Sequence, residues 1–149
     1  MFLGKHLLQV RETNEVPLPI NFLAALKDGA YLTRGFEQDV LLFSKASFAQ
    51  VCDQLRSISI SEPAARLLNR LLLGNAVQLN LEPSGSLHLP QDLCDYAAIQ
   101  QDVVLIGQGD YAEFWTPSLW EKQLVSINDY QANTHRFEKI HLTMSSNHE

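Results

Sequence analysis

Val10-Arg11-Glu12-Thr13-Asn14-Glu15-Val16-Pro17-Leu18-Pro19 returns later in the chain as Leu81-Glu82-Pro83-Ser84-Gly85-Ser86-Leu87-His88-Leu89-Pro90. Each copy reads as a strand, a short polar turn, a second strand ending in Leu-Pro, and a short helix. Proline suits that helix start, because its missing N–H would be unpaired there anyway. The match continues further on, where Leu42-Phe43-Ser44 recurs as Phe114-Trp115-Thr116, two strand residues and then a helix-capping hydroxyl. The offset is roughly 71–73 residues, about half of the chain. Two small intertwined repeats are therefore expected.

Between these landmarks the pattern predicts strands at Lys5–Val10, Val16–Leu18, Ala30–Thr33 and Val40–Phe43 in the first copy. In the second it predicts Ala76–Leu81, Ser86–Leu89, Val103–Ile106 and Ala112–Trp115. Phe22, Leu23 and Leu26 give the first short helix its apolar side, and Asp28-Gly29 stops it. Ser44 caps a helix whose Phe48, Val51, Cys52 and Leu55 fall on one stripe. Pro63 opens another, with Ala64, Leu67, Leu68, Leu71 and Leu72 on one face and Arg66, Asn69 and Arg70 on the other. A closing helix starts at Thr116-Pro117, and from Ser126 the periodicity fades into a tail expected to be irregular and flexible, or else to dock on a partner. The expected segments are 1–57 for the first repeat, 58–75 for a connecting helix, 76–125 for the second repeat, and 126–149 for the polar tail.

With 46% apolar and 19% charged residues, the 149-residue chain has the composition of a folded domain rather than a disordered one. Apolar runs such as Leu71-Leu72-Leu73 fall far short of the ~20 residues a bilayer needs, and no membrane partner is expected. The start Met1-Phe2-Leu3-Gly4-Lys5-His6 lacks the long apolar stretch of a signal peptide. Cys52 and Cys94 have no metal or redox spacing, which fits a reducing cytoplasm. Residues 1–76 hold eight Lys/Arg against seven Asp/Glu, a balance of +1, whereas residues 77–149 hold three against ten, a balance of −7. That acidity argues against non-specific DNA binding by the second copy, while leaving room for a local basic patch on the first.

Met1-Phe2-Leu3-Gly4, Tyr31-Leu32-Thr33-Arg34-Gly35, Glu62-Pro63-Ala64-Ala65-Arg66 with Arg70, and the two strand-turn-strand-Leu-Pro units together resemble the MraZ family of bacterial transcription regulators. The likeness covers roughly residues 1–125 in order. It implies an α+β, β-rich fold of two AbrB/SpoVT-like swapped-hairpin β-barrel repeats, related by a pseudo-two-fold and flanked by helices. It also implies a cytoplasmic, nucleoid-associated repressor that forms a ring homo-oligomer. Such a ring would bind operator DNA upstream of the cell-division and cell-wall gene cluster.

The family's hallmark is an Asp-x-x-x-Arg motif at each hairpin turn, the arginine being a planar fork suited to phosphate or a guanine edge. Both copies depart from it here. The first turn has Arg11 at the aspartate position and Glu15 at the arginine position, and the second has Glu82 and Ser86. The candidate DNA contacts are therefore Arg11, Thr13 and Asn14 in the first turn, with Ser84 and Ser86 in the second. Two readings stand for the first turn: Arg11 meets DNA from the opposite end of the motif, or it pairs with Glu15 or Glu12 across the hairpin. In the second turn, Ser84, Gly85 and Ser86 either contact phosphate or simply permit the turn.

Arg34 is expected to brace a strand end or a neighbouring subunit. Arg66 and Arg70 are expected on a solvated helix face, Arg66 four residues after Glu62, or at a subunit contact. His6, His88, His135, His141 and His148 lie at no ligand spacing, so no metal and no cofactor are expected. Gly107-Gln108-Gly109 joins two strands and is no nucleotide fingerprint, and no serine sits in a nucleophile elbow. Neither an enzyme nor a small-molecule substrate is expected. Two functions follow: a DNA-binding regulator, or a family member that has lost the DNA contact and serves as an oligomeric protein-interaction scaffold.

Overall fold

The computed structural model describes residues 1–140, so His141, His148 and the end of the expected tail lie outside the described residues. Among those described, eight strands form: β1 (Lys5–Gln9), β2 (Glu15–Pro17), β3 (Ala30–Arg34), β4 (Val40–Ser44), β5 (Val77–Leu79), β6 (Ser86–His88), β7 (Asp102–Gly107) and β8 (Tyr111–Trp115). Six α-helices accompany them: α1 (Ile20–Leu23), α2 (Lys45–Arg56), α3 (Pro63–Leu72), α4 (Gln91–Ala97), α5 (Pro117–Ile127) and α6 (Tyr130–Phe137). The chain is α+β and rich in strand.

Six strands make one antiparallel sheet in the order β1-β7-β8-β4-β3-β5, and β2 and β6 make a separate two-stranded ribbon. Exchanging β1 with β5, β2 with β6, β3 with β7 and β4 with β8 turns the sheet order into its own reverse. The first strand of each half therefore pairs with the third strand of the other. In the ribbon Val16 faces Leu87, both fully buried, with Glu15 opposite His88 and Pro17 opposite Ser86. This cross-pairing explains why Met1–Pro117 forms one compact unit that takes in most of both halves. The described residues from Ser118 onward form the other.

A single apolar cluster serves both halves. Val16, Phe22, Leu26 and Leu42 from the first pack with Leu87, Leu93, Leu105 and Phe114 from the second. Strand β4 is buried on both faces: Val40 and Leu42 join this cluster, while Leu41 and Phe43 meet Leu55 of α2 and Leu72 of α3. Two-sided burial explains its unbroken apolar run. Ser44 caps α2 as expected, its Oγ accepting the Ser47 N–H at 3.2 Å. On α3 the expected face is displaced by one position: Ala65 and Leu72 are buried and Leu68 half-buried, whereas Ala64 is exposed and Leu67 is 67% exposed. Leucines occupy adjoining faces of α3, and contact with the sheet selects between them; Thr33 Oγ1 of β3 donates to the Leu72 carbonyl at 2.5 Å.

The second unit corrects the expectation of an irregular tail from Ser126. Helix α5 runs to Ile127, and α6 follows it. Polar caps, not an apolar stripe, build this end. Asp129 Oδ1 accepts the Ala132 N–H at 3.2 Å, and Asn133 Nδ2 donates to the Ser126 and Ile127 carbonyls at 2.9 and 2.8 Å. These bonds satisfy carbonyls that the end of α5 leaves open.

One carboxyl group ties stability to pH. Glu113 of β8 stands opposite Leu41, and Asp39, two residues before Leu41 and 2% exposed, is its diagonal neighbour. Asp39 Oδ1 accepts the Glu37 N–H, and Gln108 Nε2 donates to Glu113 Oε1. Burial, then the hydrogen bond and charge of Asp39, push the Glu113 carboxyl up from 4.5 to about 8; the Gln108 bond opposes this and the Glu37 charge adds to it. The folded chain thus holds a proton that the unfolded chain releases near pH 4.5, and stability falls as pH rises from there to about 8. Urea titrations on either side of this window should show a lower midpoint on the alkaline side. In Glu113→Gln that difference should shrink; an unchanged difference would assign it to other groups.

Candidate nucleic-acid interface

Two polar turns lead into the opposite ends of the β2/β6 ribbon. In the first, the Arg11 N–H donates to the Glu15 carbonyl at 2.8 Å and the Asn14 N–H to the Arg11 carbonyl at 3.1 Å. The second repeats both bonds, from Glu82 to Ser86 and from Gly85 to Glu82, each at 2.8 Å. Each turn is also tied to the Leu-Pro segment of the other half: the Leu89 N–H donates to Asn14 O at 2.9 Å and the Leu18 N–H to Gly85 O at 3.2 Å. The two turns thus match bond for bond.

They differ in how the backbone is held. Gly85 takes its φ of 84° without a Cβ to clash. At the matching position Asn14 has φ 60°, and Thr13 before it has φ 63°. Asparagine tolerates the left-handed region better than most residues, but β-branched threonine is strained there.

Arg11 and Thr13 are exposed and Asn14 half-buried. Thr13 Oγ1 bonds within the turn, to Glu12 O at 2.5 Å. Among the described residues the ion pairs within 4.0 Å are Arg56–Asp53 and His135–Glu138, so Arg11 is paired with neither Glu12 nor Glu15. Ser84 is exposed in the second turn. Ser86 corrects the expectation of a surface contact: as the first residue of β6 it is 1% exposed, accepting from Ser84 Oγ at 3.3 Å. Its hydroxyl cannot reach a phosphate while the ribbon is intact.

Arg34 ends β3 with its guanidinium over the Tyr96 ring, 4.7 Å from the centroid, while Tyr96 Oη donates to Gly35 O at 2.6 Å. It braces the sheet end against α4 within the chain. Arg66 does not pair with Glu62; its Nη1 donates to the Ile60 and Ser61 carbonyls at 2.8 and 3.2 Å and closes the loop before α3. Arg70 is exposed on α3. Cys94 is buried, and burial, with Asp95 and Asp92 adding, pushes its thiol up to about 11, which suits packing rather than attack. Gly107–Gly109 turns β7 into β8, with Gln108 N–H donating to Tyr111 O at 2.8 Å. Among the described residues no three His, Cys, Asp or Glu side chains could hold a metal, and no helix is long and apolar enough to cross a membrane.

Two residues at the first turn escaped the sequence pattern. His88 Nδ1 lies 2.8 Å from Thr13 O, and Asn14 Nδ2 donates to Gln91 Oε1 at 2.9 Å. Only the pairing of Glu15 with His88 across the ribbon brings them there.

Comparison with known proteins gives this geometry its class. Proteins named Transcriptional regulator MraZ resemble the chain along most of its length. The one from Herpetosiphon aurantiacus is 34% identical over 87% of this chain and 90% of its own. That from Kocuria rhizophila is 34% identical over 83% and 87%, and that from Bifidobacterium longum 33% over 83% of each. The class is therefore that of transcriptional regulators, not enzymes. A family model for the MraZ protein, described as antitoxin-like, matches residues 72–140. The chain belongs to the MraZ family.

Proposed function

We propose that this chain is a DNA-binding regulator that represses the bacterial cell-division and cell-wall gene cluster, acting in the cytoplasm and on the nucleoid as a ring-shaped homo-oligomer. The first turn is its reading element, with Arg11, Thr13 and Asn14 directed to operator DNA, and Ser84 is confined to a phosphate contact. Arg70, exposed on α3, is a candidate for the contact between subunits. The supporting observation is Arg11 itself: exposed, outside any ion pair among the described residues, and at the head of a turn built by six hydrogen bonds. A guanidinium so placed can fork onto a guanine edge or a phosphate.

The test is fluorescence anisotropy with a labelled duplex carrying the repeats upstream of its own gene cluster, against a scrambled duplex, at about 50 mM and about 200 mM salt. Preference for the repeats at both concentrations, with affinity falling as salt rises, is expected. Absence of preference at low salt overturns the DNA reading. One observation favours a second reading in that event: Glu12, Glu15 and Glu82 outnumber Arg11 across the two turns, as a scaffold for protein partners would allow.

A further inference from the structure

We infer that the second half of the chain is the positioning device for the first turn: His88 and Gln91 lock Thr13 and Asn14 in their left-handed conformation, which makes the two halves unequal in function. The inference rests on the reading of the first turn as the DNA contact. Its basis is a difference between two otherwise matching turns. The second turn needs one left-handed residue and has Gly85 for it, whereas the first needs two and has Thr13 and Asn14. A β-branched threonine is strained in that region, so surrounding bonds must hold it.

Those bonds come from β6 and the start of α4. A carbonyl oxygen only accepts, so His88 Nδ1 must carry the hydrogen that meets Thr13 O at 2.8 Å. Gln91 is oriented from behind: its Nε2 donates to Asp95 Oδ1 at 2.8 Å, and that carboxylate cannot donate back. The amide therefore presents Oε1 to Asn14, whose Nδ2 donates at 2.9 Å. This fixes which end of the Asn14 amide faces the protein, leaving Oδ1 and one N–H for a ligand. The reciprocal clamp is missing. The positions matching His88 and Gln91 in the first half are Pro17 and Ile20, and neither has a side chain that hydrogen-bonds.

Two variants test it: His88→Ala and His88→Asn, whose amide nitrogen reaches about where Nδ1 does. Amide hydrogen exchange reads order in the turn at the Asn14 N–H, and anisotropy on the repeat duplex reads binding. His88→Ala should speed Asn14 exchange and weaken DNA binding about tenfold, with the urea midpoint close to wild type. His88→Asn should recover most of both. Unchanged exchange in His88→Ala overturns the clamp. If exchange responds as expected but the wild type shows no preference for the repeats, the clamp stands and the DNA reading fails. If His88→Asn is as impaired as His88→Ala, the hydrogen bond is not what holds the turn.

Discussion

Phe22→Ala is expected to lower the free energy of unfolding by about 3–5 kcal/mol. Phe22 is fully buried, with its ring edge-on to Phe2 at 4.9 Å and to His6 at 5.4 Å. It stands on the helix that Pro19 begins, so it carries the packing of the repeated unit into the core. A domain of this size has about 5–15 kcal/mol in total, so the variant sits near the edge of folding. Because one apolar cluster draws on both halves, urea should unfold Met1–Pro117 in a single transition with a lowered midpoint. Ile20→Ala, two residues away but 86% exposed, should stay within about 0.5 kcal/mol of wild type. A Phe22→Ala loss below about 1 kcal/mol would mean that the site collapses around the missing ring.

Arg11→Ala is expected to weaken binding to the repeat duplex about tenfold to a hundredfold, the range of a good bidentate contact. If Arg11 meets phosphate instead of a base edge, the loss should be similar on scrambled DNA and the salt slope should fall by about one. Either outcome places the residue at the interface. Glu15→Arg tests the same surface from the other side. It returns an arginine to the family's position and removes a negative charge from the turn, so affinity should rise.

Much of this architecture is legible in the sequence because the signals are local. A polar turn, a Leu-Pro ending and a capping serine each act over a few residues, and their recurrence reveals the two halves. What escapes is decided at a distance. The face of α3 that is buried depends on contact with Thr33, and Ser86 is interior because β6 lies against Pro17. The bond from His88 to Thr13 spans 75 residues and exists only because each half completes the other. At the tail, Asp129 and Asn133 carry the helix termini through side-chain hydrogen bonds that leave no apolar period to read.

The most direct test of the central claim, that one turn reads DNA and its twin does not, is a parallel anisotropy titration of wild type, Arg11→Ala and Ser84→Ala on the same repeat duplex. The account predicts a loss of about tenfold or more for Arg11→Ala and less than about threefold for Ser84→Ala. Equal losses in the two variants, or an Arg11→Ala protein that binds like wild type, would contradict it.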